Sequence, residues 1–222
     1  MLAPMIGSET CPRCEKPLDL CVCSAIPTLS TKTHVLFLQH PQEPDVELGS
    51  ARIAHLALPS STLRVGLSWP NLKAALGRDE AVAARWAALY LGSGPKGAAS
   101  HKASSPLLFV DKHGAPAAEQ KPALDGIVVL DGTWSQAKTL WWRNAWLLKL
   151  RRAIVRPSRP SLYRELRKEP RRECLSTIET VAETLDALGE PKETGDGLRA
   201  LFGELLRRYR GRPRRGADYH SG

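Results

Sequence analysis

The sequence predicts an α/β protein, a largely parallel sheet flanked by helices, and two observations carry that expectation. Apolar runs rich in β-branched and aromatic residues, notably residues 33–39 (THVLFLQ) and 126–130 (GIVVL), have the length and continuity of strands buried on both faces. Stretches with apolar residues at helical spacing separate such runs, so strands and helices alternate, as crossovers between parallel strands require. A further observation sets a small N-terminal module apart. Four of the five cysteines fall in CPRCEKPLDLCVC, spaced C-x2-C-x6-C-x-C.

The elements follow in order. After the cysteine module, placed at residues 1–30, the strand over 33–39 stops at His40-Pro41, because proline has no N–H to continue a ladder. Residues 46–58 show helical spacing, 62–66 read as a short strand, 71–91 as one or two helices and 106–110 as another strand. The segments 92–105 and 111–126 are rich in Gly, Pro, Ala and Ser and read as loops. The strand over 126–130 then runs through Asp131-Gly132 into a long helix, with Thr133 as N-cap and Gln136 closing a capping box. Residues 152–156 give one more strand, 157–174 a basic connection, 176–189 a helix opened by Ser176 with Glu179 in the matching box position, and 198–210 a last helix. Residues 31–210 are thus expected to form the main domain and 211–222 a basic, disordered tail.

Hydrophobic residues at 42% and charged residues at 25% match a soluble globular protein and exclude disordered, fibrous and membrane classes. The apolar start MLAPMI is too short, and lacks the basic flank, for a signal peptide or span, so a cytoplasmic protein with no membrane partner is expected. The net charge of +9 is segregated: residues 143–173 hold eleven Lys/Arg against three Glu, and residues 207–216 hold six Arg and no acid. Clustered cations suit a polyanion, since each one placed on a phosphate releases counterions. For the 143–172 stretch nucleic acid is the better reading. For the tail, a solvated end is as good.

In parallel sheets the ligand crevice lies beyond the carboxyl ends of the strands. Three polar clusters fall at such ends: Gln39-His40, Asp131-Gly132-Thr133-Trp134, and residues 156–163. No G-x-G-x-x-G follows the first strand and no G-x-x-x-x-G-K-[ST] occurs, so dinucleotide and P-loop chemistry lose ground. In a reducing compartment Cys11, Cys14, Cys21 and Cys23 meet the ligand count of a closed, structural Zn2+ site, with disulfides the weaker reading. Cys174 stands alone and reads as a small packing residue.

Taken together, CPRC…CVC, LQHPQE, the helix bearing Arg52, LDGTW-x-QA, SLYRELRKEP and LST-x-E resemble the DTW-domain family in order and spacing, over about residues 11–188. The Asp-x-Thr-Trp element of that family stands here as Asp131-Gly132-Thr133-Trp134. The resemblance implies a SPOUT-like fold with a cofactor pocket that is knotted in relatives. It also implies transfer of the 3-amino-3-carboxypropyl group of S-adenosylmethionine to N3 of a tRNA uridine, releasing methylthioadenosine.

That chemistry assigns expectations to residues. A uridine ring nitrogen attacks only once its proton leaves, so a carboxylate at a strand end suits a general base. Asp131 fits, and equally fits a helix cap or a bond to the turn amides. Thr133 and Gln136 are more often caps than catalysts, and Thr133 stays in the candidate site because of the resemblance. Trp134 either stacks on a base or lies in the core, while Trp141, Trp142 and Trp146 read as packing. The carboxylate of the donor calls for a forked guanidinium, from Arg52 or Arg167. Arg167 is as well suited to a phosphate, and Arg171 and Arg172 are assigned to the RNA backbone. Gln39, His40, Ser161 and Tyr163 are candidates for the cofactor, against a turn for His40 and a solvated loop for Ser161 and Tyr163. Glu179 is read as structural, through capping.

Two rival functions share these features: an S-adenosylmethionine-dependent RNA methyltransferase, and a zinc-ribbon protein that binds nucleic acid without catalysis. The oligomeric state and the uridine chosen are left open by the sequence.

Overall fold

The computed structural model describes residues 9–42, 47–89, 106–118, 122–156, 159–165 and 175–212. Among them, β1 (His34–Gln39), β2 (Ser61–Val65), β3 (Trp86–Leu89), β4 (Leu107–Val110), β5 (Gly126–Asp131) and β6 (Arg151–Val155) form one sheet in the order β2-β1-β5-β3-β6-β4. β1 pairs in parallel with β2 and β5, and β3 with β5 and β6, while β4 runs antiparallel along β6 at one edge. The expected α/β class and largely parallel sheet are therefore observed.

The helices are α1 (Ala51–Ala57), α2 (Leu72–Leu76), α3 (Trp134–Arg143), α4 (Thr177–Leu188) and α5 (Lys192–Arg210). They cover both faces of the sheet, which is why β5 is buried at all six positions. Successive residues of a strand point to opposite faces, and the core divides accordingly. Val35, Phe37, Ile127 and Val129 pack with α1, α4 and α5. Leu36, Leu38, Val128 and Leu130 pack with α2, α3 and the 3-10 turn Ala145–Lys149. Gly126 opens β5 because nothing larger fits: a Cβ there would lie 2.5 Å from the Trp86 ring and 2.7 Å from the His34 carbonyl oxygen.

Several expected boundaries shift. The helices expected across 71–91 reduce to α2 and a 3-10 turn at Ala83–Arg85, and Trp86–Leu89 is β3, an interior strand. The two alanines of WAAL favour helix in isolation, but all four residues are buried between β5 and β6, and that burial overrides intrinsic propensity. The long helix after Thr133 ends at Asn144, whose side chain bonds the carbonyls of Leu140 and Leu67 and the N–H of Trp69. α1 starts later than its pattern suggested, at Ala51, and α5 earlier, at Lys192. The whole of the 92–105 loop, Cys174, and residues 213–222 lie outside the described residues.

The cysteine module packs against the main body. Cys11, Cys14, Leu20 and Val22 share the apolar cluster of α1, α4 and α5, and the buried Lys16 ammonium donates to the carbonyls of Glu47 and Gly49 at 2.9 and 2.7 Å. Part of the C-terminal arginine run serves this packing. Arg207 and Arg208 pair with Glu204, and Arg212 pairs with Asp19 of the module and with Glu47. Beside Arg212 the Asp19 carboxyl is held below its usual range, mainly by their hydrogen bond.

Candidate active site

The strands β1 and β5 are adjacent and in register, with Gln39 opposite Asp131 at their carboxyl ends. The chain leaves β1 toward α1 on one face and leaves β5 toward α3 on the other, so the two ends diverge at a topological switch point. At such a point the sheet opens a crevice for ligand. Asp131 sits there with only 5% of its surface exposed, a burial that a carboxylate sustains only when its oxygens are bonded. Gln39 Nε2 donates to Oδ2 at 2.7 Å and the Thr177 hydroxyl donates to Oδ1 at 2.5 Å. The carboxylate is thereby fixed in position by one side chain from β1 and one from the first turn of α4.

His40 follows Gln39 and is also buried. Its N–H donates to the Asp131 carbonyl at 3.0 Å, which carries the β1–β5 ladder one residue further, and its Nδ1 accepts from the N–H of Gln42. The turn role anticipated for it is thus satisfied by backbone. Thr133 caps α3 in the expected box: its hydroxyl accepts from the Gln136 N–H, and Gln136 Oε1 accepts from the Thr133 N–H. Gln136 Nε2 also donates to the Gln42 carbonyl at 2.6 Å, fastening the α3 start to the turn after β1. Trp134, at the first position of α3, is 50% exposed, so it is not a core residue. Trp142 overturns its assignment as packing more clearly, at 77% exposed, because α3 buries only Ala137, Leu140 and Trp141. Trp146 does pack, with its indole N–H donating to the Trp69 carbonyl.

Glu179 has the largest role beyond expectation. It closes the anticipated capping box with Ser176, yet its buried carboxylate also accepts from the Ser161 hydroxyl at 2.9 Å and from the Leu162 N–H at 2.7 Å. Ser161 in turn accepts from the Tyr163 N–H, and the Tyr163 hydroxyl donates to the Leu48 carbonyl at 2.8 Å. Neither Ser161 nor Tyr163 lies in a solvated loop. Ser161 anchors the 3-10 turn Leu162–Glu165 to the start of α4, the same turn of helix that carries Thr177 to Asp131, while Tyr163 ties it to Leu48 and, by an edge-on ring contact, to Phe202 of α5. Thr177 was missed by the sequence reading, although its position beside the capping serine in LST-x-E leaves its hydroxyl unused by the cap.

Arg52, on α1, forms an ion pair of 2.8 Å with Glu15 of the cysteine module. Glu15 takes a positive φ of 58° at the end of the Cys11–Cys14 knuckle, where its N–H donates to the Cys11 carbonyl. The four thiol sulfurs lie within 4.8 Å of one another, with 3.7 Å between Cys11 and Cys23 and 3.8 Å between Cys14 and Cys21. These spacings are far beyond a disulfide bond of about 2.05 Å, and the cluster can hold a metal ion. The backbone N–H groups of Cys14 and then Arg13 donate toward Cys11 and bring its pKa down to about 6. Burial, then the neighbouring Cys14 and Cys11 thiols, push Cys23 up. Arg167, Arg171 and Arg172 lie outside the described residues.

A buried carboxylate hydrogen-bonded by Gln39 and Thr177 at the switch point of a largely parallel sheet, in a protein whose four-cysteine cluster packs on the α1, α4 and α5 side of that sheet, defines an α/β protein with an enzyme-like site. A model of the DTW domain matches residues 8–210, and the chain belongs to that family. It is 27% identical over 180 residues to tRNA-uridine aminocarboxypropyltransferase 2 of Macaca fascicularis and 27% identical over 186 residues to the Mus musculus protein of that name. The Drosophila melanogaster protein of the same name is 29% identical over 182 residues. Each match covers 80% of this chain, which spans 56% of the length of the first two relatives and 66% of the third. No solved structure matches the chain.

Proposed function

We propose that this chain transfers the 3-amino-3-carboxypropyl group of S-adenosylmethionine to N3 of a uridine in tRNA, with Asp131 as the general base. The observation that carries this reading is the Gln39–Asp131–Thr177 cluster at the sheet switch point, within a chain whose named relatives are tRNA-uridine aminocarboxypropyltransferases. Bound in the crevice, the donor supplies a sulfonium-activated carbon. The contribution of the protein is positional: Gln39 and Thr177 hold the Asp131 carboxylate still, so that it takes the N3 proton as the base is aligned. Thr133 and Trp134 line the same strand end, and His40 closes it. Arg52 and Arg167 remain the candidates for the donor carboxylate, and Arg171 and Arg172 for tRNA phosphates. We retain the SPOUT-like reading, with the donor pocket that is knotted in relatives, on the resemblance to the DTW family alone, and the division into a cysteine module over 1–30, a catalytic domain over 31–210 and a tail over 211–222. Among the described residues no helix is long and apolar enough to cross a membrane.

The small-molecule product tests the reaction class. Incubation with S-adenosylmethionine and unmodified tRNA is expected to release methylthioadenosine, and only when RNA is present. Release of S-adenosylhomocysteine would instead assign a methyltransferase.

For the cysteines we propose a structural zinc. With Zn–S bonds of about 2.3 Å the edge of a tetrahedral site is about 3.8 Å, which fits the two shortest sulfur separations. Zinc would replace the thiol protons and offset the charge of four thiolates held close together, two of them buried and two half-buried. Purified protein is expected to carry about one zinc per chain and to melt at lower temperature after chelation, because the module shares the core of α1, α4 and α5. Metal analysis finding none, with all four thiols alkylated in the native protein, would remove the assignment.

A further inference from the structure

We propose that the exposed face of α3, carrying Trp134, Lys138 and Trp142, is a stacking surface for unpaired nucleotides of the RNA substrate. The proposal rests on the RNA-modifying reading above and extends it along α3, from Trp134 at the strand end to Lys138 and Trp142, which that reading gives no role. Trp142 is the anchoring observation. Tryptophan is buried to a high degree on average, yet this one is 77% exposed on a helix whose neighbour Trp141 is packed inside. Residues 134, 138 and 142 follow one another at helical spacing, so the three side chains form a single stripe, aromatic, cationic, aromatic. The eight-residue separation of the two indoles spans about 12 Å along the helix axis, roughly the rise of three stacked nucleotides at ~3.4 Å each.

Charge says which partner fits. From Gly132 to Arg164 the sequence has eight Lys/Arg and not one Asp or Glu, and α3 lies within that run. Lys138 and Arg143 on α3 and Lys149 just after it are exposed, and the Arg152 guanidinium sits 5.7 Å from the Trp141 ring centroid. Exposed indoles with cations interleaved, on a helix that carries no acid, suit a strand that offers base faces for stacking and phosphates for pairing. A purely apolar protein partner gains nothing from the cations. The stripe also begins at Trp134, three residues beyond Asp131, so a strand lying along it leads to the switch point where the proposed base waits.

The test uses the full chain, unmodified tRNA, and a single-stranded oligouridylate with its adenylate-paired duplex as probes. Trp142→Ala is expected to weaken binding to the single strand about tenfold, with the slope of affinity against salt unchanged, because a lost stack releases no counterions. Trp142→Phe should retain most of the affinity, and Lys138→Ala should reduce the salt slope by about one. The duplex, whose base faces are already stacked, should discriminate little between wild type and Trp142→Ala. Wild-type affinity of Trp142→Ala for both tRNA and single strand overturns the proposal, and does so even where methylthioadenosine release confirms the reaction. Self-association of the wild type that Trp142→Ala abolishes, with RNA affinity unchanged, also overturns it and assigns the face to a second copy of the chain. A Trp142-dependent affinity for single strands, in protein that releases no methylthioadenosine, leaves the stacking surface standing and removes the reaction instead.

Discussion

Asp131→Asn is expected to give a folded protein that still binds S-adenosylmethionine and has lost most of its turnover. The substitution keeps the shape of the side chain. An amide offers one oxygen to the Gln39 amide or the Thr177 hydroxyl, and its nitrogen can donate to the other if that group reorients, so the buried cluster can remain bonded. What disappears is the site that accepts the N3 proton. Loss of a positioned general base costs roughly 10²- to 10⁴-fold in rate, and that fall should be found in single turnover, with donor affinity near its original value. The residual rate should climb with pH, since a ring nitrogen that ionises unaided no longer needs the base. Near-normal turnover at neutral pH would confine Asp131 to joining β1, β5 and α4.

The second large effect is on stability, at Glu179. Its carboxylate accepts from Ser161, Leu162 and both the N–H and the hydroxyl of Ser176, all in a site with almost no solvent. Glu179→Ala leaves those donors buried without an acceptor, a loss of about 3 kcal/mol, which for a chain of this size lowers Tm by roughly 6–12 °C. Glu179→Gln keeps an acceptor and should lose less. Because the same carboxylate ties the Leu162–Glu165 turn to α4, the alanine variant is also expected to lose activity at temperatures where it remains folded. An unchanged melting temperature would mean that water replaces the carboxylate, and that the site is wetter than its burial indicates.

How much of this was legible in the sequence depended on whether the determining forces were local. Both capping boxes, Thr133 with Gln136 and Ser176 with Glu179, lie within four consecutive residues and were read correctly. β1 and β5 were equally plain, as apolar runs ended by Pro41 in one case and by Asp131-Gly132 in the other. β3 was hidden because WAAL has the local preferences of a helix, and only its insertion between β5 and β6 makes it a strand. The candidate site divides in the same way. Asp131 and Gln39 stand at recognisable strand ends, whereas their pairing needs the β1–β5 register, and Thr177 reaches Asp131 from 46 residues away. Trp142 was misjudged for a related reason: the helical period marks a stripe of aromatic residues, but which side of that stripe meets the sheet is decided by the fold.

The most direct test of the central claim is which carbon of the donor arrives on RNA. Two preparations of S-adenosylmethionine, one labelled in the methyl group and one in the carboxyl carbon, are incubated with the full chain and unmodified tRNA, and the RNA is digested to nucleosides. The proposed chemistry predicts label in a uridine derivative from the carboxyl-labelled donor, none from the methyl-labelled donor, and methylthioadenosine formed in equal amount. Label from the methyl donor alone would contradict the account and establish a methyltransferase, and label from neither would leave an RNA-binding protein without this reaction.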